Sequence, residues 1–180
     1  MPNSRVKAGA AHLRDARRQA RKKGRQDRAN ILTRALHLLR ALTTKPIVWV
    51  YPAVAAARKQ WTDGTTFEVG MCLQRVRLCY GIGPRAGDAI GAWNAAKSKH
   101  RVTDPTLIPR GYPVFWSGGS HGHGHIAISA GSGFCWSTDI RRPGRWDRVP
   151  ITEIHEKWGL TLLGYTGDLN GVKIQAKVGE

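Results

Sequence analysis

Three groups of side chains have the types and spacing for acyl-transfer chemistry: a cysteine at residue 72, a histidine cluster at residues 121 to 125, and a polar pair at residues 137 and 139. Cys72 stands in Gly70-Met71-Cys72-Leu73-Gln74-Arg75-Val76, where Leu73, Val76 and Tyr80 recur at helical spacing and Gly81 ends the run. That pattern puts the thiol in the first turn of a helix. There the aligned backbone dipoles favour a thiolate, and the N–H of Cys72 itself is placed to hold a developing oxyanion. The competing role is that of an inert core residue, since free cysteines are among the most buried side chains. Cys79, near the apolar face of the same helix, and Cys135 are assigned that role.

His121, His123 and His125 are separated by single glycines. An extended strand would place all three imidazoles on one side, so a His-based metal hydrolase is one alternative. His125 differs from the other two because it opens the alternating run His125-Ile126-Ala127-Ile128-Ser129, a strand that can fix its ring opposite the Cys72 helix. It is the expected general base of a cysteine hydrolase that needs no cofactor, with His121 and His123 on the rim. Asp139 ends the next strand, and Ser137 precedes it by two residues on the same face. Either can orient the far nitrogen of His125. The carboxylate better stabilises a charged ring and is the expected third member. Trp61, Gln74, Trp116 and His123 complete the candidate site as substrate contacts.

With these residues in this order, the chain resembles the NlpC/P60 and CHAP group of papain-like cell-wall hydrolases, including the cysteine peptidase domains of endolysins from phages of actinobacteria. Gly70-Met71-Cys72-Leu73-Gln74-Arg75-Val76 is similar to the family's cysteine at a helix start. Arg110-Gly111-Tyr112-Pro113-Val114-Phe115-Trp116 and Gly124-His125-Ile126-Ala127-Ile128 are similar to its two strand motifs, although Tyr112 stands where an acidic residue is common. The resemblance spans about residues 60 to 173. It implies Cys72 as nucleophile, His125 as base and a polar group on the following strand, best matched by Asp139. The implied activity is hydrolysis of a peptidoglycan amide bond, by an endopeptidase or an amidase, through a thioester. Phage structural proteins are implied partners, and the implied locations are the virion or the host cytoplasm before lysis, with action at the cell wall.

The elements that must position this site follow from periodicity. Pro84 can open a helix containing Ala89, Ile90, Trp93 and Ala96, Pro113 to Trp116 reads as a strand, and Gly131-Ser132-Gly133 joins His125–Ser129 to Phe134–Thr138 as a hairpin. Residues 151 to 158 suggest a short helix and Leu162 to Tyr165 a closing strand. Ile47 to Tyr51 reads as a strand or covering segment limited by Pro52, and Ala53 to Gln60 as a short helix. Helices first and a meandering antiparallel sheet afterwards predict an α+β domain over residues 46 to 180, and the resemblance implies that it is papain-like.

Residues 1 to 45 differ in composition. They hold 13 Lys or Arg against Asp15 and Asp27, within a chain of net charge +17. Ala10 to Leu42 is built of helix formers without proline, and Ile31, Ala35, Leu38, Leu39 and Leu42 form an apolar stripe. This is the expected basic helical extension, with Gly24 separating an exposed arm from a docking helix. Residues 1 to 28 are candidates for non-specific binding to a polyanion or to a neighbouring particle subunit, which would also suit a catalytically inactive assembly protein. No apolar run reaches the roughly 20 residues a membrane span needs, so no transmembrane segment is expected. Three cysteines without a CxxC pair favour neither a disulfide framework nor a zinc finger.

Overall fold

A computed structural model of the chain describes residue 19 and residues 22–28, 31–32 and 47–175. The chain divides between Lys45 and Pro46. Before that division, residues 22–28 are helical and exposed, and Gly24 lies inside the helical stretch instead of interrupting it. Ile31 is exposed; Ala35, Leu38, Leu39 and Leu42 lie outside the described residues.

After the division, helices pack against a multi-strand antiparallel sheet, an α+β arrangement. Helix α1 spans Val50–Thr62, α2 Cys72–Cys79, α3 Ala89–Ala95 and α4 Ile151–Trp158. Pro52 falls in the first turn of α1, where its missing N–H has no helical acceptor to lose, so it starts a helix instead of ending a strand. The main sheet is formed by β2 (Lys99–His100), β3 (Pro113–Ser117), β4 (His125–Gly131), β5 (Phe134–Thr138), β6 (Trp146–Pro150) and β7 (Thr161–Thr166). Their order is β2-β7-β3-β4-β5-β6, and every pairing in it is antiparallel. A smaller sheet joins β1 (Ile47–Trp49), β9 (Val172–Gln175) and β8 (Asp168–Leu169), with β1 parallel to β9.

Side-chain alternation divides the interior into two layers. Ile126, Ile128, Phe115, Trp136 and Trp146 point to one core, shared with Val54, Leu73, Val76 and Trp93 of the first three helices. Val114, Trp116, Ala127, Cys135 and Val149 point the other way, against Ile151 and Ile154 of α4. The period of two in strands and the i, i+3 spacing of Leu73 and Val76 in α2 are what make these faces coincide. Each fully buried Ile or Val contributes roughly 1.5–3 kcal/mol through removal of apolar surface from water. Strand β6 had no strand signal in the sequence, because Arg148 breaks the apolar pattern. The structure stacks that guanidinium on Phe134, 4.2 Å from the ring centre.

Candidate active site

Cys72 is the first residue of α2, and its side chain is buried at the inner edge of the helix. Gly70, two residues earlier, has φ of +85°, a backbone turn that glycine adopts without the steric cost of a Cβ. Asp139 holds this approach in place: Oδ2 accepts from the N–H of Gly70 at 3.3 Å, and Oδ1 accepts from the N–H of Gly144 at 2.7 Å. Burial pushes the Cys72 thiol above its ordinary pKa. The backbone N–H groups of Ile126, Leu73 and Cys72 itself pull the other way, and the Asp139 charge adds to the rise. The helix start therefore lowers the cost of a thiolate without making it the resting form.

His125 opens β4 and sits directly opposite Trp116 of β3. Its ring centre lies 5.7 Å from that of Trp116 and 5.1 Å from that of Trp158, edge to face with the latter. Enclosure by these rings disfavours an imidazolium, and burial pulls the His125 pKa down to about 3. Nε2 lies 2.9 Å from Ser137 Oγ. Ser137 Oγ also lies 3.3 Å from the Thr138 carbonyl, to which it can donate; in that arrangement Oγ accepts from Nε2–H and Nδ1 is the basic nitrogen of the ring.

The expected orienting role of Asp139 is thus corrected. Ser137 holds the imidazole, while the Asp139 carboxylate is committed to Gly70 and Gly144. The reason lies in the backbone. Asp139 leaves the strand at φ of +65°, one residue after β5 ends, and its carboxylate turns to the neighbouring loops.

Cys72 and His125 belong to opposite layers of the sheet, and both open into one cavity of about 440 Å³ at the end of β4, bordered also by Gly70, Asp139, Trp158 and Leu160. Among the backbone groups that pull the Cys72 pKa down, that of Ile126, the residue next to His125, contributes most. Gly124, just before the base, has φ of +68°, and a Cβ there would come within 2.5 Å of the Trp116 carbonyl oxygen. Only glycine lets β4 begin this close to β3.

The other sequence-derived candidates separate. Gln74 borders a second groove of about 310 Å³, whereas His123 lines both that groove and the first cavity, which also share Gly70, Cys72 and Gly124. Trp116 is fully buried and forms part of the floor beneath His125, so it offers no surface to a substrate. Trp61 is half exposed and packs on Trp136, at 5.7 Å between ring centres, and it borders neither cavity. Sequence reasoning missed Trp158, whose place at the end of α4 leaves it partly exposed beside His125. An aromatic residue at the last position of a short amphipathic helix was the signal available for it.

The three imidazoles do not converge. His123 Nδ1 pairs with Asp88 Oδ2 at 2.8 Å, His121 stacks on His123, and His125 is enclosed with Ser137. Among the described residues no group of three His, Cys, Asp or Glu side chains is arranged to hold a metal ion. No family model, curated protein or solved structure matches this chain.

Proposed function

We propose that the domain beginning at residue 46 is a cysteine hydrolase that cleaves an amide bond of bacterial peptidoglycan, carried in or on a phage particle. The observation that supports this most is the shared cavity: a thiol at a helix start and an imidazole held by Ser137 both open into it. In the resting site the pair is neutral, because burial raises Cys72 and lowers His125. Attack and proton transfer are therefore concerted in this mechanism. As Cys72 Sγ bonds to the carbonyl carbon, its proton passes to His125 Nδ1, and Ser137 Oγ accepts from the far side of the ring. The N–H of Cys72 serves the oxyanion, a contribution worth on the order of 10² to 10³ in rate per donor. His125 then gives the proton to the departing nitrogen as the C–N bond breaks. In the second half it activates water, which releases the thioester as a carboxylic acid.

The test is mass spectrometry of wall fragments after digestion with the native protein and with Cys72→Ala. New amino termini released only by the native protein are the expected outcome. Equal release by both proteins removes Cys72 as nucleophile, and no release from any wall type defeats the hydrolase reading.

A second reading has its own observation. Lys22, Lys23, Arg25 and Arg28 lie in an exposed helical stretch, which suits contact with an anionic polymer. Retention on such a polymer that does not change with salt concentration would count against it. Among the described residues no helix is long and apolar enough to cross a membrane.

A further inference from the structure

His123 has a carboxylate partner that the mechanism leaves unused. Its Nδ1 lies 2.8 Å from Asp88 Oδ2, while Oδ1 of the same carboxylate accepts from the N–H of Gly91 at 2.7 Å and so caps α3. These contacts, the His123 hydrogen bond foremost, hold the Asp88 carboxyl below the usual carboxylate range. At neutral pH Asp88 is therefore an acceptor only, and Nδ1 carries the proton of that bond. The other ring nitrogen, Nε2, has no hydrogen-bond partner among the described residues, and the side chain is 67% exposed.

The backbone fixes where this imidazole stands. The carbonyl of His123 accepts from the N–H of Ile90 at 2.9 Å, and the following N–H, that of Gly124, donates to the Gly118 carbonyl at 3.1 Å. Ring and main chain are thus both tied to the start of α3. His123 lines the cavity that holds His125 and also the second groove, and Cys72 borders both. The charged and titratable groups around its ring are Asp88, His121 stacked on it at 5.8 Å between ring centres, and, across the two cavities, Cys72, His125, Asp139 and Arg77. His121 has no carboxylate partner; its Nδ1 meets the Ser120 hydroxyl at 3.1 Å. Of the two exposed imidazoles on this rim, His123 is the one held in the carboxylate-backed form that suits proton transfer.

The two halves of thioester chemistry ask different things of a base. In the first, His125 passes on a proton that the thiol gives up as its sulfur attacks. In the second, the proton comes from water, a much weaker acid, and the enclosed ring of His125, with a pKa of about 3, is poorly matched to receive it.

We infer that the Asp88–His123 dyad shares the second half of the proposed reaction with His125, as a proton acceptor for the water that hydrolyses the thioester. The inference rests on the hydrolase reading. The water oxygen bonds to the thioester carbonyl carbon as its proton passes to His123 Nε2, and the Asp88 carboxylate stabilises the charged ring. When the C–S bond breaks, the sulfur recovers a proton from that ring, which leaves a free thiol, a neutral imidazole and a carboxylic acid. His123 is a catalytic residue in this scheme and Asp88 its positioning residue.

Acetylation by p-nitrophenyl acetate separates the two halves, because nitrophenolate departs without needing a proton and no wall substrate is required. Nitrophenolate absorbance follows acylation of the full-length protein, and peptide mass mapping against time follows the acetyl group on Cys72. His123→Gln and Asp88→Asn are each expected to slow loss of the acetyl group about tenfold relative to its formation, so that acetyl-Cys72 accumulates; this is below the full worth of a positioned base because His125 still shares the step. Asp88→Asn keeps an oxygen to cap α3, and thermal melting checks that both variants stay folded. Hydroxylamine, a strong nucleophile that needs no base, is expected to clear acetyl-Cys72 at the same rate in the native protein and both variants. Release to water unchanged in both variants, or release to hydroxylamine slowed as much as release to water, overturns the inference and leaves the hydrolase reading standing. Ester turnover that is the same in Cys72→Ala defeats the hydrolase reading and the inference with it.

Discussion

Cys72 and Cys79 begin and end the same helix and are almost equally buried, at 8% and 6% exposure. Their surroundings nevertheless give them different chemistry. Cys79 meets the side-chain amide of Gln60, whose Nε2 donates to its sulfur at 3.5 Å while Oε1 accepts from the Trp146 indole at 3.1 Å. Burial pushes this thiol up to about 12, and it is walled in by core. Cys72 faces backbone N–H groups and a cavity. Burial alone therefore does not separate a candidate nucleophile from a structural thiol. The supply of N–H donors at the sulfur, together with access from solvent, does.

The largest expected separation is in activity. Cys72→Ala should reduce wall hydrolysis by about 10³-fold or more, whereas Cys79→Ala should keep it within a few-fold and cost about 1–2 kcal/mol of stability, because Gln60 loses a partner and a small void forms. Release assays and urea melts on both variants measure this. Comparable loss of activity in the two, at matched stability, would erase the contrast.

A second separation concerns pH. His125, which borders the same cavity as Cys72, has a folded pKa near 3 against 6.5 for a free imidazole. The unfolded chain binds a proton near pH 6.5 and the folded chain does not until about 3, so this contribution to stability is complete above 6.5 and is lost as pH falls through that window. The loss amounts to a few kcal/mol, following about 1.4 kcal/mol for each pH unit. His125→Asn should flatten the slope of unfolding free energy between pH 6.5 and 4, and Cys79→Ala should leave it unchanged. Parallel slopes in native protein and His125→Asn would show that the imidazole is not kept neutral by the fold.

The smallest effect is in reactivity. Both thiols are raised above 9.0, so alkylation by iodoacetamide should be slow at pH 7 and climb as pH rises beyond 9. Cys72 should still react about tenfold faster than Cys79, because it borders the cavity. Peptide mapping against time gives both rates. A plateau for Cys72 already at pH 6 would mean that the resting site is an ion pair, contrary to the concerted proton transfer proposed above.

Much of the fold could be read in advance where periodicity is strong. Leu73, Val76 and Tyr80 marked α2, the alternation from His125 to Ser129 marked β4, and residues 151 to 158 form a helix as expected. Strands β8 and β6 escaped, because Asp168–Leu169 is too short to alternate and Arg148 hides the pattern of its strand, whereas Ile47–Trp49 of the small sheet lies in the stretch read as a strand or covering segment. Within the candidate site, the partner of His125 was chosen by charge when geometry decided it. Asp139 has the better group but lies beyond the strand, whereas Ser137 is still within β5 and reaches Nε2. Trp116 was misjudged for a related reason. A tryptophan in a central strand has no surface to show when both faces of the sheet are covered.

The commitment of Asp139 to two backbone amides has a dynamic consequence. The segment leading into Cys72 and the turn between β5 and β6 are also joined by Phe67 N–H to the Gly144 carbonyl at 3.0 Å and by Arg145 Nη1 to the Gly64 carbonyl at 3.2 Å. Stretches about seventy residues apart are thus tied together, and the amides of Phe67, Gly70 and Gly144 are expected to share a common free energy of hydrogen exchange. A loop insertion at the distant turn would reach the sulfur through loosened tethers, without altering any residue that borders it.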